Sequence, residues 1–247
     1  MKLLSLPAKI FTYAFLGTGI LTAAEPNTKR LSMPDFCQAD TRYGEFPKDG
    51  KHHYCAPTAV SNILVYLDTN GFPNMLAPDV PNNYDQFKLI KLLGSDKYMK
   101  SAHGTKTSNL MSGLEKYVKE RGYKISIQYK NLKHVGKYLV IDKTLKPSWI
   151  KNKLDENYEC VLGVNFYSRK KKERIGGHYV TVVDFQDNDP LKILVHDPSS
   201  RSGIEPKTEL WQFIPTKKGL WQIKMSNDKK NRIVILNDVI AFKVRKK

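Results

Sequence analysis

At 247 residues the chain can bury one large core or two small ones, and 40% hydrophobic content suits an ordinary globular domain. Apolar residues are too scattered for a membrane protein. The formal charge of +17 would attract anionic partners, but no nucleic-acid motif accompanies the dispersed lysines, so no specific nucleic-acid partner is expected. A soluble basic surface and a surface that holds an anionic partner both remain open.

The one long apolar run is N-terminal. Lys2 and Lys9 flank its start, Ile10 to Leu21 form the run, and Thr22-Ala23-Ala24 closes it with small residues. That is a secretory signal-peptide layout, and the run is short for a membrane span. Residues 1–24 are therefore read as a leader. Residues 25–247 form one secreted or periplasmic domain without a transmembrane segment. Three cysteines leave at least one free thiol. Cys37 could pair with Cys160 and leave Cys55 free; equally, Cys160 could be a buried strand thiol and Cys37 a loop residue.

Residues 25–36 read as a poorly ordered, extended lead-in, and 37–53 as loop, rich in Asp, Gly, Pro and Lys. A helix then runs from Cys55 to about Asn70. Ala56, Ala59, Val60, Ile63, Leu64 and Leu67 mark its apolar face, Pro57 sits in its first turn, and Asn70-Gly71 stops it. Residues 71–83 read as loop. Tyr84 to Leu93 is a short helix, and Thr105 to Gly122 a second, capped by Thr107 or Ser108 and carrying the Glu115–Lys119 pair. Tyr123 to Tyr129 alternates as a strand, 130–143 is ambiguous, and Pro147 to Asn157 is helical. The second half is β-rich, at 160–167, 178–185, 191–195, 220–225 and 232–242. Between the first two lies an exposed basic loop, Arg169 to Arg174. A helical half followed by a strand half, with a boundary near 158, predicts an α+β domain.

Cys55 opens its helix, where unpaired N–H groups and the dipole favour an anionic sulfur, the nucleophilic form. Such a nucleophile needs a base, and the base an orienting group. His178 follows Gly176-Gly177, a pair that lets another backbone or a substrate come close, and opens the strand Tyr179 to Val183. Leu191 to His196 pairs naturally as the next antiparallel strand and ends at Asp197-Pro198. That hairpin can bring the Asp197 carboxylate beside the His178 ring. His196 alternates to the other face and is read as structural. His52-His53-x-Cys55 has metal-ligand residue types but no second ligand pair, so neither metal nor cofactor is expected.

Tyr54-Cys55-Ala56-Pro57-Thr58-Ala59, Gly177-His178-Tyr179-Val180 and Asp197-Pro198, in that order, resemble the papain-like cysteine peptidases. The likeness is closest to the double-glycine (bacteriocin-leader) peptidase-like branch and spans roughly 33–200. It implies a papain-like fold, with a central nucleophile helix in a helical half packed on an antiparallel β half. It also implies peptide or protein substrates, with Cys55, His178 and Asp197 as the triad. The family places a glutamine upstream of the cysteine as an oxyanion donor. Its usual spacing falls on Asp49 here, and Gln38 is the only glutamine upstream of Cys55. The resemblance therefore points to Gln38, with 39–53 as an inserted loop. Ala56 replaces the usual glycine. An amide hydrolase or acyl transferase on a non-peptide substrate could use the same triad, and a catalytically silent binding module could keep the fold.

Overall fold

The computed structural model describes residues 30–40, 53–76, 83–131, 145–199, 207–225 and 231–247. The leader, the start of the lead-in, most of the loop before Cys55 and the ambiguous stretch after β1 lie outside them. The elements run in chain order from a 3-10 turn at Arg30–Ser32 through α1 (Cys55–Thr69), α2 (Asn83–Gly94), α3 (Thr107–Glu120), β1 (Lys124–Asn131) and α4 (Pro147–Asp155). β2 (Glu159–Ser168), β3 (Arg174–Gln186), β4 (Lys192–His196), β5 (Thr208–Pro215), β6 (Trp221–Lys224) and β7 (Arg232–Arg245) complete the chain. The class is α+β, with four helices and a seven-stranded sheet of antiparallel pairs among the described residues. No described helix is long and apolar enough to cross a membrane.

Strand order is β1-β7-β2-β3-β4-β5-β6, and β6 returns to β7 at Gln222 and Ile235. The long β7 makes this possible: its first half meets β6 and its second half pairs with β1 from Asp238 to Arg245. The sheet thus closes into a barrel, a feature that the pattern of the sequence did not suggest. β1, which precedes the change from helices to strands near 158, is hydrogen-bonded to the last strand.

Two apolar clusters share the central strands. Val161, Tyr179, Ile240 and Phe242 face a core built on α1, α2 and α3. Their neighbours Cys160, Leu162, Val180, Val239 and Ala241 face a second core, inside the curled sheet and under α4. Period-2 alternation therefore feeds both cores, and strands buried on both faces read as continuous apolar runs.

The lead-in is more ordered than expected from residue 30 onward. Arg30 is buried, with Nε 3.0 Å from Glu159 Oε2 and Nη2 donating to the Leu154 and Tyr158 carbonyls. Burial raises the Glu159 carboxyl pKa, and Arg30 offsets only part of that rise. Asp35 Oδ2 accepts from the Lys207 N–H, and the Phe36 N–H donates to Asn62 Oδ1 on α1. Polar side chains too costly to leave unpaired in the interior stitch this segment between α1 and the sheet. Other differences are local. β3 starts at Arg174, so the basic loop runs over 169–173 and its last expected residue opens the strand. β5 has no counterpart among the expected strands. The N-cap of α3 is Lys106, not Thr107 or Ser108, because the Thr107 hydroxyl is committed elsewhere.

Candidate active site

Cys55 is the first residue of α1, and Tyr54 caps the helix without a side-chain hydrogen bond. The helix is buried on most sides, and its polar residues are paired internally. Thr58 Oγ1 donates to the Tyr54 carbonyl and Ser61 Oγ to the Thr58 carbonyl. Gln86 Nε2, from α2, donates to both Ser61 Oγ and Asn62 Oδ1. Asn62 Nδ2 reaches Thr181 Oγ1 at 3.3 Å, and that hydroxyl donates to the Ala59 carbonyl at 2.9 Å. Ala59 lies one turn after Cys55, and Thr181 three residues after His178. This contact fixes the start of the helix against the start of the buried part of β3.

His178 and Asp197 meet at 2.5 Å, between Nε2 and Oδ1, and both are buried, at 7% and 3% exposure. The β3–β4 register, with Thr181 opposite His196, carries the chain past the ring to Asp197. The Ser199 N–H donates to the same carboxylate oxygen at 2.8 Å, which holds it in place. Cys55 and His178 border the same cleft, and Cys55 is close enough to act on the imidazole pKa. Burial alone would lower the His178 pKa. The Asp197 charge and hydrogen bond, with the hydrogen bond and charge of Cys55, more than offset that and raise it to about 10. Burial likewise pushes the Asp197 carboxyl up, but His178 and the Ser199 hydrogen bonds bring it below its ordinary value. The arrangement favours imidazolium beside carboxylate.

Gln38 is buried, and its backbone N–H donates to the Pro198 carbonyl at 2.8 Å. Cys37 Sγ contacts the Ser199 carbonyl oxygen, and Phe36 packs with Tyr54. The segment 36–38 is thus wedged between the residue before Cys55 and the loop that carries Asp197. Gln38 Oε1 has no partner among the described residues, and Gln38 is not among the residues lining the cleft. Asp49 lies outside the described residues. All three cysteines are free and buried, so Cys37 and Cys160 form no disulfide; Cys160 is a strand thiol whose pKa burial raises strongly.

Cys55 and His178 open onto a cleft of about 970 Å³, bordered by His53, the turn at Gly104, the start of α3 and the β2–β3 strands. His52 lies outside the described residues. His196 does belong to the scaffold: Nδ1 lies 3.2 Å from the Pro34 carbonyl oxygen and Nε2 3.0 Å from Thr208 Oγ1.

Several residues of the site carry no signal that singles them out in the sequence. Phe166 stacks on the His178 ring, with centroids 6.2 Å apart and planes 25° from parallel, and the Arg232 guanidinium lies 4.4 Å from the Phe166 ring centre. The only available sign was the period-2 relation of Phe166 to Val164, the register partner of His178. Beneath the cleft, buried Asp238 Oδ2 accepts from Thr107 Oγ1 at 3.0 Å and Tyr179 Oη at 3.3 Å, and burial raises its pKa to about 6. What comes close at Gly177 is the Arg174 guanidinium: Nη2 lies 2.8 Å from where a Cβ would stand.

The family model described as Peptidase_C39 like family matches residues 31–217, which takes in Gln38, Cys55, His178 and Asp197. No curated protein matches the chain.

Proposed function

The chain belongs to the Peptidase_C39 like family, and from that premise we propose that it is an exported, papain-like cysteine peptidase working through an acyl-enzyme. The observation that carries the reading is the buried His178–Asp197 pair, with His178 and Cys55 bordering one cleft. The Cys55 sulfur, as thiolate, attacks the scissile carbonyl carbon, and the carbonyl π pair moves onto oxygen. The Cys55 N–H, which has no intrahelical acceptor, and the Gln38 side-chain amide stabilise that oxyanion. Imidazolium at His178 gives its proton to the leaving amine as the C–N bond breaks, which leaves a thioester on Cys55. His178 then takes a proton from water; the hydroxide attacks the thioester, and the Cys55 thiolate departs with the acid product. Asp197 holds the ring and offsets its charge throughout. Phe166 covers one face of the imidazole and positions it.

The experiment follows the protein from export to turnover. Expressed in a bacterial host, it should be recovered outside the cytosol with its N-terminus near Glu25, and it should cleave members of a mixed peptide library. Cys55→Ala should lose that cleavage by a factor of about 10⁴ or more. An intact N-terminus in the cytosol would end the export claim. A library cut equally by Cys55→Ala would end the peptidase claim. An untouched library beside turnover of simple amides or esters would favour a non-peptide acyl substrate.

A further inference from the structure

We propose that the cleft selects substrates carrying a carboxylate near the scissile bond, and that the Arg174 guanidinium receives it. The proposal rests on the peptidase reading for the location of the reacting bond, but the charge site is built from other residues. Arg174 Nε donates to Asn165 Oδ1 at 2.8 Å. Asn165 Nδ2 donates to Asn237 Oδ1 at 2.6 Å, and Asn237 Nδ2 donates to Asp238 Oδ2 at 3.1 Å. Arg174, Asn165 and Asn237 all border the cleft, while Asp238 is fully buried beneath it.

The chain of hydrogen bonds has a direction. Each amide turns its N–H toward Asp238 and its carbonyl toward Arg174, and flipping either would set like against like. Cation at one end and carboxylate at the other fix both amides, and the amides fix the guanidinium. Gly177 has no side chain, which leaves room for Nη2 to lie across it. Only Nε is used by this network. Among the described residues, no carboxylate pairs with Arg174, and its neighbour Glu173 is 3.5 Å from Lys171 Nζ. The cleft wall also carries Lys100 and Lys106, against the single carboxylate of Asp96. An oriented guanidinium whose Nη groups lack a carboxylate partner is matched by a planar, bidentate carboxylate.

Arg174 lies over Gly177, the residue next to His178. The carboxylate can be an Asp or Glu side chain or the free C-terminus of the substrate.

Binding to Cys55→Ala, which cannot turn over, tests the site apart from catalysis. Fluorescent peptides carrying Glu, Gln or Lys at successive positions on either side of the scissile bond, each with a free or an amidated C-terminus, distinguish the two carboxylate sources. A Glu peptide or a free C-terminus should bind about tenfold tighter than its neutral counterpart. Arg174→Gln should abolish that difference, and Arg174→Lys should retain only part of it. Equal binding of charged and neutral peptides overturns the proposal. So does a preference that survives Arg174→Gln yet vanishes in about 0.5 M salt, since that is the attraction of the basic surface as a whole. If the wild type cleaves none of these peptides while the Arg174-dependent preference stands, the peptidase reading fails and the carboxylate site does not. Cleavage without any preference overturns the carboxylate site and leaves the peptidase reading in place.

Discussion

The His178 imidazole sits between opposed influences, and their balance sets how the site responds to pH. Burial disfavours its charge; Asp197 and Cys55 restore it and carry the pKa to about 10. A raised imidazole pKa stabilises the fold fully below the ordinary value of 6.5 and ceases to do so as pH rises through about 10. The lowered Asp197 contributes above its ordinary 3.8 and ceases to as pH falls through its depressed value. Asp197→Asn keeps an oxygen to orient the ring but removes the charge, leaving burial to dominate. The basic limb of the kcat/KM profile should then move down by roughly 1–3 pH units. A limb that stays in place would show that another group supplies the charge. Cys55, His178 and Asp197 were legible because each stands where a local pattern changes: a helix start, a strand after a glycine pair, a strand stopped by proline. Asn165 and Asn237 were not, since 72 residues separate them and Asn237 is the extra residue where the β2–β7 register shifts.

The strand β2 shows how an element can be built around a missing side chain. Gly163 is paired with Tyr179 on one side and Asp238 on the other, and those two side chains meet across it at 3.3 Å. A methyl group there would overlap Asp238 Oδ1 and stand 2.8 Å from the Tyr179 ring. Asp238 Oδ2 is held by Thr107, Tyr179 and Asn237, which limits how far the carboxylate can turn away. Gly163→Ala should therefore cost about 1–3 kcal/mol and lower Tm by roughly 2–10 °C. A Tm equal to that of the wild type would mean that the seam between α3 and the sheet is loose. At this scale the helices were the more legible elements, because α1 and α3 carry long periodic faces. β5 escaped notice because only Trp211 and Phe213 turn inward along it, between prolines at 206 and 215. The order of the lead-in from Arg30 was hidden because it comes from single polar contacts, which leave no periodic trace.

At the scale of the whole molecule, α+β class was readable from the succession of helices and strands, while barrel closure was not. Closure depends on β7 being long enough to meet β6 and β1 in turn, a matter of tertiary pairing. The same pairing supports the proposed site: one core, which includes Cys55, holds α1 against the sheet, and the other holds the sheet in its curve. Cys55 must therefore be reactive only in the folded molecule, and only with His178 beside it. Alkylation by iodoacetamide at about pH 6, with each cysteine followed by peptide mapping, tests this most directly. The prediction is fast labelling of Cys55, slow labelling of Cys37 and Cys160, loss of that selectivity on unfolding, and a marked slowing in His178→Ala. Equal labelling of the three cysteines in the folded protein, or a Cys55 rate indifferent to His178→Ala, would contradict it.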